Sequence, residues 1–183
     1  YAFPAFLATL VWKGMLNKDF GFINQVLLGG AHVPWLTDGT LAKLSILGVN
    51  LWLGFPYMFL VCLGALQSLP SDVEEAAKID GLRTVWSIKL PLVLQSTVPL
   101  LIASFAFNFN NFSLIYMLTG GGPNYPGMDV GQTDILISMV YKIAIESGSP
   151  NYGLASAMSI VIFIVVGVIA WLGFRQTKTL EEL

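Results

Sequence analysis

The chain has 183 residues, of which 55% are hydrophobic and 11% charged, with a mean hydropathy of +0.72 and a net charge of −2. Soluble domains carry about 25% charged residues, so this composition excludes an ordinary water-soluble fold and points to an all-α polytopic membrane protein. The net charge by itself says nothing about nucleic acid, and there is no basic stripe to suggest it as a partner. Cys62 and His32 are the only residues of their kinds, which leaves neither a disulfide framework nor the ligand spacing of a metal site.

Residues 1–16 read as the outer end of a span that begins before Tyr1, with Pro4 kinking it or starting its outer half. The chain is thus expected to be the C-terminal part of a longer subunit. Residues 17–40 hold Gly, Pro, Asn and Asp turn signals between two apolar runs and are expected as an extracytoplasmic loop with short helical pieces. No charge occurs from Leu44 to Ser71, from Leu90 to Met128 or from Ser147 to Phe174. Each gap exceeds the roughly 20 apolar residues that a crossing needs, giving spans at 41–68, 91–118 and 153–174.

Between the first two of these lies the most charged run of the chain, Pro70–Pro91. Ser71 with Glu74 fits a capping box that starts a short helix, and Gly81 can end it. Small Ala76 and Ala77 beside Glu75 allow another surface to approach closely. The segment 119–152 is a second outer loop. Its Gly- and Pro-rich start (119–132) cannot hold a regular element, and its end (133–147) reads as an amphipathic helix along the membrane surface. Lys78, Arg83 and Lys89, with Arg175 and Lys178 of the tail, put the charged run and the C-terminus on the cytoplasmic side by the positive-inside rule.

Polar groups inside spans usually face a partner helix or a watery cavity. On a continuous helix, Ser104, Asn108 and Asn111 fall at i, i+4 and i+7, one face. Asn50, Leu53, Gly54 and Tyr57 form a second face on the preceding span. The spans run antiparallel, so Asn50 is expected at the depth of Asn111 and Tyr57 at that of Ser104. Two neutral stripes of amide and hydroxyl groups can hold a hydroxyl-rich ligand, since an amide both donates and accepts. The same residues could equally be interhelical glue. No Walker A, H-E-x-x-H or G-x-S-x-G pattern occurs, so neither nucleotide hydrolysis nor peptide or ester hydrolysis has a candidate site here.

Glu75-Ala76-Ala77, Asp80-Gly81 and Ile88-Lys89-Leu90-Pro91 resemble the cytoplasmic coupling loop of membrane subunits in binding-protein-dependent ABC importers. The loop is shorter than the family pattern between the glycine and the isoleucine, which leaves open a true deletion or residues absent from the sequence as it stands. Tyr1-Ala2-Phe3-Pro4, Asn50–Leu60 and Ile102–Phe112 narrow the resemblance to the maltose/maltodextrin branch, over essentially the whole chain. It implies a type I ABC importer permease fold, with no catalytic role of its own. Its implied partners are a homologous second permease subunit, two ATPase subunits holding ATP and Mg, an extracytoplasmic sugar-binding protein and the lipid of a bacterial plasma membrane. It also implies that a maltose-like sugar meets Tyr1, Asn50, Leu53, Gly54, Tyr57, Ser104, Asn108 and Asn111, and that Glu75, Ala76, Ala77, Asp80 and Gly81 meet the ATPase. A serine among the branch's sugar contacts falls at Ala5 here, which bears on sugar length or linkage. The competing readings are an importer for another sugar, such as trehalose, an ion-coupled carrier or channel without an ATPase, and a structural membrane scaffold. A carrier would commonly place ionisable residues at mid-membrane, and these spans have none in their middles.

Overall fold

In the computed structural model, residues 3–70, 72, 75 and 84–181 are described, with side chains to residue 175. The first helix, α1 (Ala5–Met15), starts after Pro4, whose fixed φ and missing N–H suit a helix start, and carries Lys13 in its last turn. A π-helical turn (Ile23–Leu27) follows, and then α2 (Gly39–Gln67). Asp38 caps α2, accepting from the N–H groups of Thr40 and Leu41 at 3.0 and 2.9 Å. A second π-helical turn (Val85–Lys89) runs into α3 (Leu90–Phe109); short α4 (Phe112–Leu118) comes next. The segment after α4 then folds as α5 (Leu136–Tyr141) and a third π-helical turn (Lys142–Glu146), and α6 (Tyr152–Glu181) is the last helix.

Among the described residues, three helical segments are long and apolar enough to cross a membrane: Gly39–Gln67, Val85–Phe109 and Tyr152–Arg175, with mean hydropathies of 1.9, 1.8 and 2.6. Only 6, 11 and 6% of their most apolar windows is buried by the chain itself. Apolar side chains left outside the fold in such numbers require a hydrocarbon surrounding or partner helices. The chain is therefore a multi-pass membrane protein.

Two expectations change. The segment 91–118 is not one continuous helix: α3 stops at Phe109, and α4 starts at Phe112 after a turn at Asn110. Asn111 has φ −76° and ψ 68°, and its side-chain oxygen caps α4 by accepting from Leu114 N–H. Asparagine amides compete with helical carbonyls and amides for hydrogen bonds, so the run Asn108-Phe109-Asn110-Asn111 breaks the helix that its hydropathy would continue. Similarly, the stretch 133–147 is helical only from Leu136, and its last turn is π-helical.

The chain divides into two compact units. One comprises Tyr1–Gly54 with Phe109–Ile164, the other Phe55–Asn108 with Val165–Leu183. In the first, α1 packs on α4 and α4 on α5. Its core is Leu16, Val49, Leu114 and Leu118, ringed by Trp12, Ile23, Trp35, Leu36, Ile46 and Leu53. In the second, Val93 and Thr97 are buried, with Thr97 Oγ1 returning to Val93 O at 2.8 Å. Phe55 and Phe59 pack one turn apart on α2, and the Arg175 guanidinium lies 5.6 Å over the Trp171 ring.

Candidate functional site

α2 carries Asn50, Leu53 and Gly54 within the first unit. Asn50 and Leu53 are half-buried, and a Cβ placed on Gly54 would meet no atom within 4 Å. The Asn111 Nδ2 donates toward Asn50 Oδ1 at 3.5 Å, the outer limit of a hydrogen bond. Two residues 61 apart thus bring their amides together. Asn111 is doubly committed, because its Oδ1 also holds Leu114 N–H at 3.3 Å. The helix break turns Asn111 from a third residue on a helical stripe into a cap whose amide is fixed at both ends.

Tyr57, Ser104 and Asn108 belong to the second unit. Tyr57 follows Pro56 on α2 and is partly exposed. Ser104 and Asn108 stand one turn apart on α3, where Asn108 Nδ2 donates to the Ser104 carbonyl at 2.8 Å. The three-residue stripe expected on the third span therefore reduces to Ser104 and Asn108, since Asn111 lies beyond the end of α3. Tyr1, Ala76, Ala77, Asp80 and Gly81 lie outside the described residues. Glu75 is helical and exposed. Among the described residues no three His, Cys, Asp or Glu side chains cluster as metal ligands would.

Two polar centres in the first unit escaped the sequence reading. Asn24 is fully buried in the loop 17–38 between α1 and α2. Its Nδ2 donates to the carbonyls of Lys18 and Val33 at 3.0 Å and of Asn17 at 3.4 Å, and its Oδ1 accepts from Trp35 Nε1 at 2.8 Å. In the second centre, Asp134 accepts from Gly131 N–H (2.7 Å), Ser138 Oγ (2.8 Å) and Lys142 Nζ (2.7 Å). Its side chain is 2% exposed and that of Lys142 16%. Beside it, Thr133 Oγ1 donates to Gly122 O, and the Thr119 and Thr133 hydroxyls meet at 2.8 Å. These contacts make a firm platform from a Gly- and Pro-rich stretch. The only signal for it in the sequence was the amphipathic pattern of 133–147, to which Asp134 and Lys142 belong.

The described residues thus form a helical, multi-pass membrane protein in which two neutral amides, those of Asn50 and Asn111, meet. The chain belongs to the family of binding-protein-dependent transport system inner membrane components, whose pattern matches residues 1–178. It is 48% identical over 190 aligned positions to the maltose/maltodextrin transport system permease protein MalF of Vibrio parahaemolyticus, covering 100% of this chain and 36% of that protein. The corresponding protein of Escherichia coli K12 is 43% identical over 97% of this chain, again 36% of its own length. The chain thus spans about a third of the length of these relatives. In three dimensions it resembles a chain of a bacterial alginate ABC transporter, crystallised in complex with an alginate pentasaccharide-bound periplasmic protein. The TM-score is 0.78 at 20% identity, over 97% of this chain and 61% of that one. A second alginate importer structure gives 0.73 at 19% identity, over 96% and 61%. At such identities the structural likeness speaks for the fold alone.

Proposed function

We propose that this chain is the translocating part of the membrane subunit of an ATP-driven importer for maltose- or maltodextrin-like sugars. The observation that carries the reading is the identity of 43–49% to maltose/maltodextrin permeases over 97–100% of the chain. The chemistry of the spans agrees with it: the stretches 44–67 and 90–109 contain no ionised residue, and amides and hydroxyls suit a neutral, hydroxyl-rich substrate. The sugar contacts we assign are Tyr1, Asn50, Leu53, Gly54, Tyr57, Ser104, Asn108 and Asn111.

In this reading an extracytoplasmic binding protein delivers the sugar to the outer loops, and a homologous permease subunit completes the pathway. Two ATPase subunits, which hold ATP and Mg, grip the cytoplasmic loop through Glu75, Ala76, Ala77, Asp80 and Gly81. Their closure moves that loop as a lever and alternates access to the sugar. The distribution of Lys and Arg supports a cytoplasmic C-terminus.

The test is maltose uptake by the complete complex, reconstituted in proteoliposomes with its binding protein and internal ATP. Wild-type complex should accumulate maltose. Asn108→Leu should lose at least about 80% of uptake, since an unpaired sugar hydroxyl costs about 1–3 kcal/mol, while the subunits still co-purify. Unchanged uptake in Asn108→Leu would reject that contact; a wild-type complex that moves trehalose and not maltose would reassign the sugar.

A further inference from the structure

We propose that Tyr116 and Glu146 are positioning residues that set the direction of the Asn111 amide, and through it the grip on the transported sugar. The proposal deepens the reading above and rests on Asn111 being a sugar contact. α4 has seven residues, too few to hold its own orientation by helical hydrogen bonds. Packing must orient it. Leu114, Ile115 and Leu118 are buried and anchor one side.

The other side is held by aromatic rings and one charge-assisted bond. Phe112 stacks on Tyr116 with ring centroids 4.9 Å apart and planes 19° from parallel. Tyr141 of α5 packs against both, at 4.9 Å from Phe112 and 5.1 Å from Tyr116. The Tyr116 hydroxyl then donates to Glu146 Oε1 at 2.6 Å, the length of a hydroxyl bond to a carboxylate. This bond fixes α4 against rotation about its own axis relative to the turn Lys142–Glu146. Asn111 caps that same helix, and its Nδ2 reaches Asn50 at the outer limit of hydrogen bonding. A small rotation of α4 therefore breaks the amide pair while leaving the buried anchors in place.

An acceptor is what the Tyr116 hydroxyl needs, and a charge is secondary. Glu146→Gln keeps the acceptor, Glu146→Ala removes it, and Tyr116→Phe removes the donor while keeping the ring stack. The readout is maltose moved per ATP hydrolysed by the reconstituted complex, which a purely structural role would not change in complexes that still assemble and hydrolyse ATP. Tyr116→Phe and Glu146→Ala should each lower that ratio roughly three- to tenfold, the effect of about one hydrogen bond. Glu146→Gln should stay near wild type, and the double variant should be no worse than either single one.

A second measurement does not depend on the sugar. In a Cys62→Ser background, cysteines introduced by Asn50→Cys and Asn111→Cys are joined by a short thiol-reactive linker. Adding Tyr116→Phe should slow that crosslink several-fold. An unchanged crosslinking rate, an unchanged sugar-to-ATP ratio in Tyr116→Phe, or a Glu146→Gln variant as impaired as Glu146→Ala would each overturn the proposal. A slowed crosslink in a complex whose wild type moves no maltose would support the positioning role and overturn the sugar reading alone.

Discussion

Replacing Asn24 by Asp changes one atom's chemistry at the centre of the loop 17–38. The native Nδ2 shares two hydrogens among three backbone carbonyls, those of Asn17, Lys18 and Val33. An ionised carboxylate in its place would turn an acceptor toward all three, while its other oxygen could still accept from Trp35 Nε1. Two lost donor bonds cost about 1 kcal/mol each, and a buried carboxylate facing carbonyls adds a penalty like that of a broken buried pair. A loss of about 3–5 kcal/mol is expected at pH 8. Protonation restores one donor, and burial favours the neutral acid, so the folded pKa lies above the unfolded value of about 3.9. The neutral acid's stability is full below the unfolded pKa and lost as pH rises through the folded one. The defect in Asn24→Asp should therefore shrink toward pH 5.

Limited proteolysis within 17–38 of the assembled complex measures this, because cleavage tracks the open population when reclosing is fast. A loss of about 3 kcal/mol corresponds to cleavage roughly a hundredfold faster than wild type at pH 8. The ratio of variant to wild type should fall at pH 5. A ratio near one at pH 8, or the same ratio at both pH values, would refute the account of Asn24 as the loop's donor hub.

Lys142→Met strands the Asp134 carboxylate with two neutral donors and should destabilise the platform of 119–142 by about 3 kcal/mol; adding Asp134→Asn should recover part of that, read as protection of residues 119–135 from protease. Gly131→Ala would drive a Cβ into the Gly121 carbonyl, and because that carbonyl is backbone and cannot swing aside it should lower the complex's apparent melting temperature by several degrees, about 1–3 kcal/mol of overpacking. Asn111→Ala removes the cap of α4 and the contact to Asn50 together; it should cost about 1 kcal/mol of stability and also depress uptake, whereas Asn111→Ser should restore the cap and not the transport. Glu75→Lys should abolish co-purification of the ATPase subunits, leaving sugar protection of a cysteine introduced by Asn108→Cys unaltered; retained assembly and uptake would remove Glu75 from the coupling role.

Much of the molecule could be read from the chain because water and hydrocarbon sort residues without reference to any partner. Charge-free runs longer than a bilayer crossing specify membrane helices. The shared depth expected for Asn50 and Asn111 agrees with the contact between their amides, although Asn111 lies beyond the end of α3 and not on its face. The break at Asn110 was less legible. Hydropathy continues through Phe112, Leu114 and Ile115, and the competing signal is a cluster of asparagines, which can pack inside a helix or end one.

Composition and periodicity by themselves settled the class of environment, the number of long apolar helices and the neutral character of the polar residues within them, because each depends on local transfer free energies. The tertiary fold alone decided which polar groups satisfy one another: Asn24 with Trp35 across eleven positions, Asp134 with Lys142 across eight, Tyr116 with Glu146 across thirty. A buried donor or acceptor needs a partner, but nothing in its own neighbourhood of the chain names which one. That choice is made only when distant segments close around it and leave a single geometry in which every hydrogen bond is met.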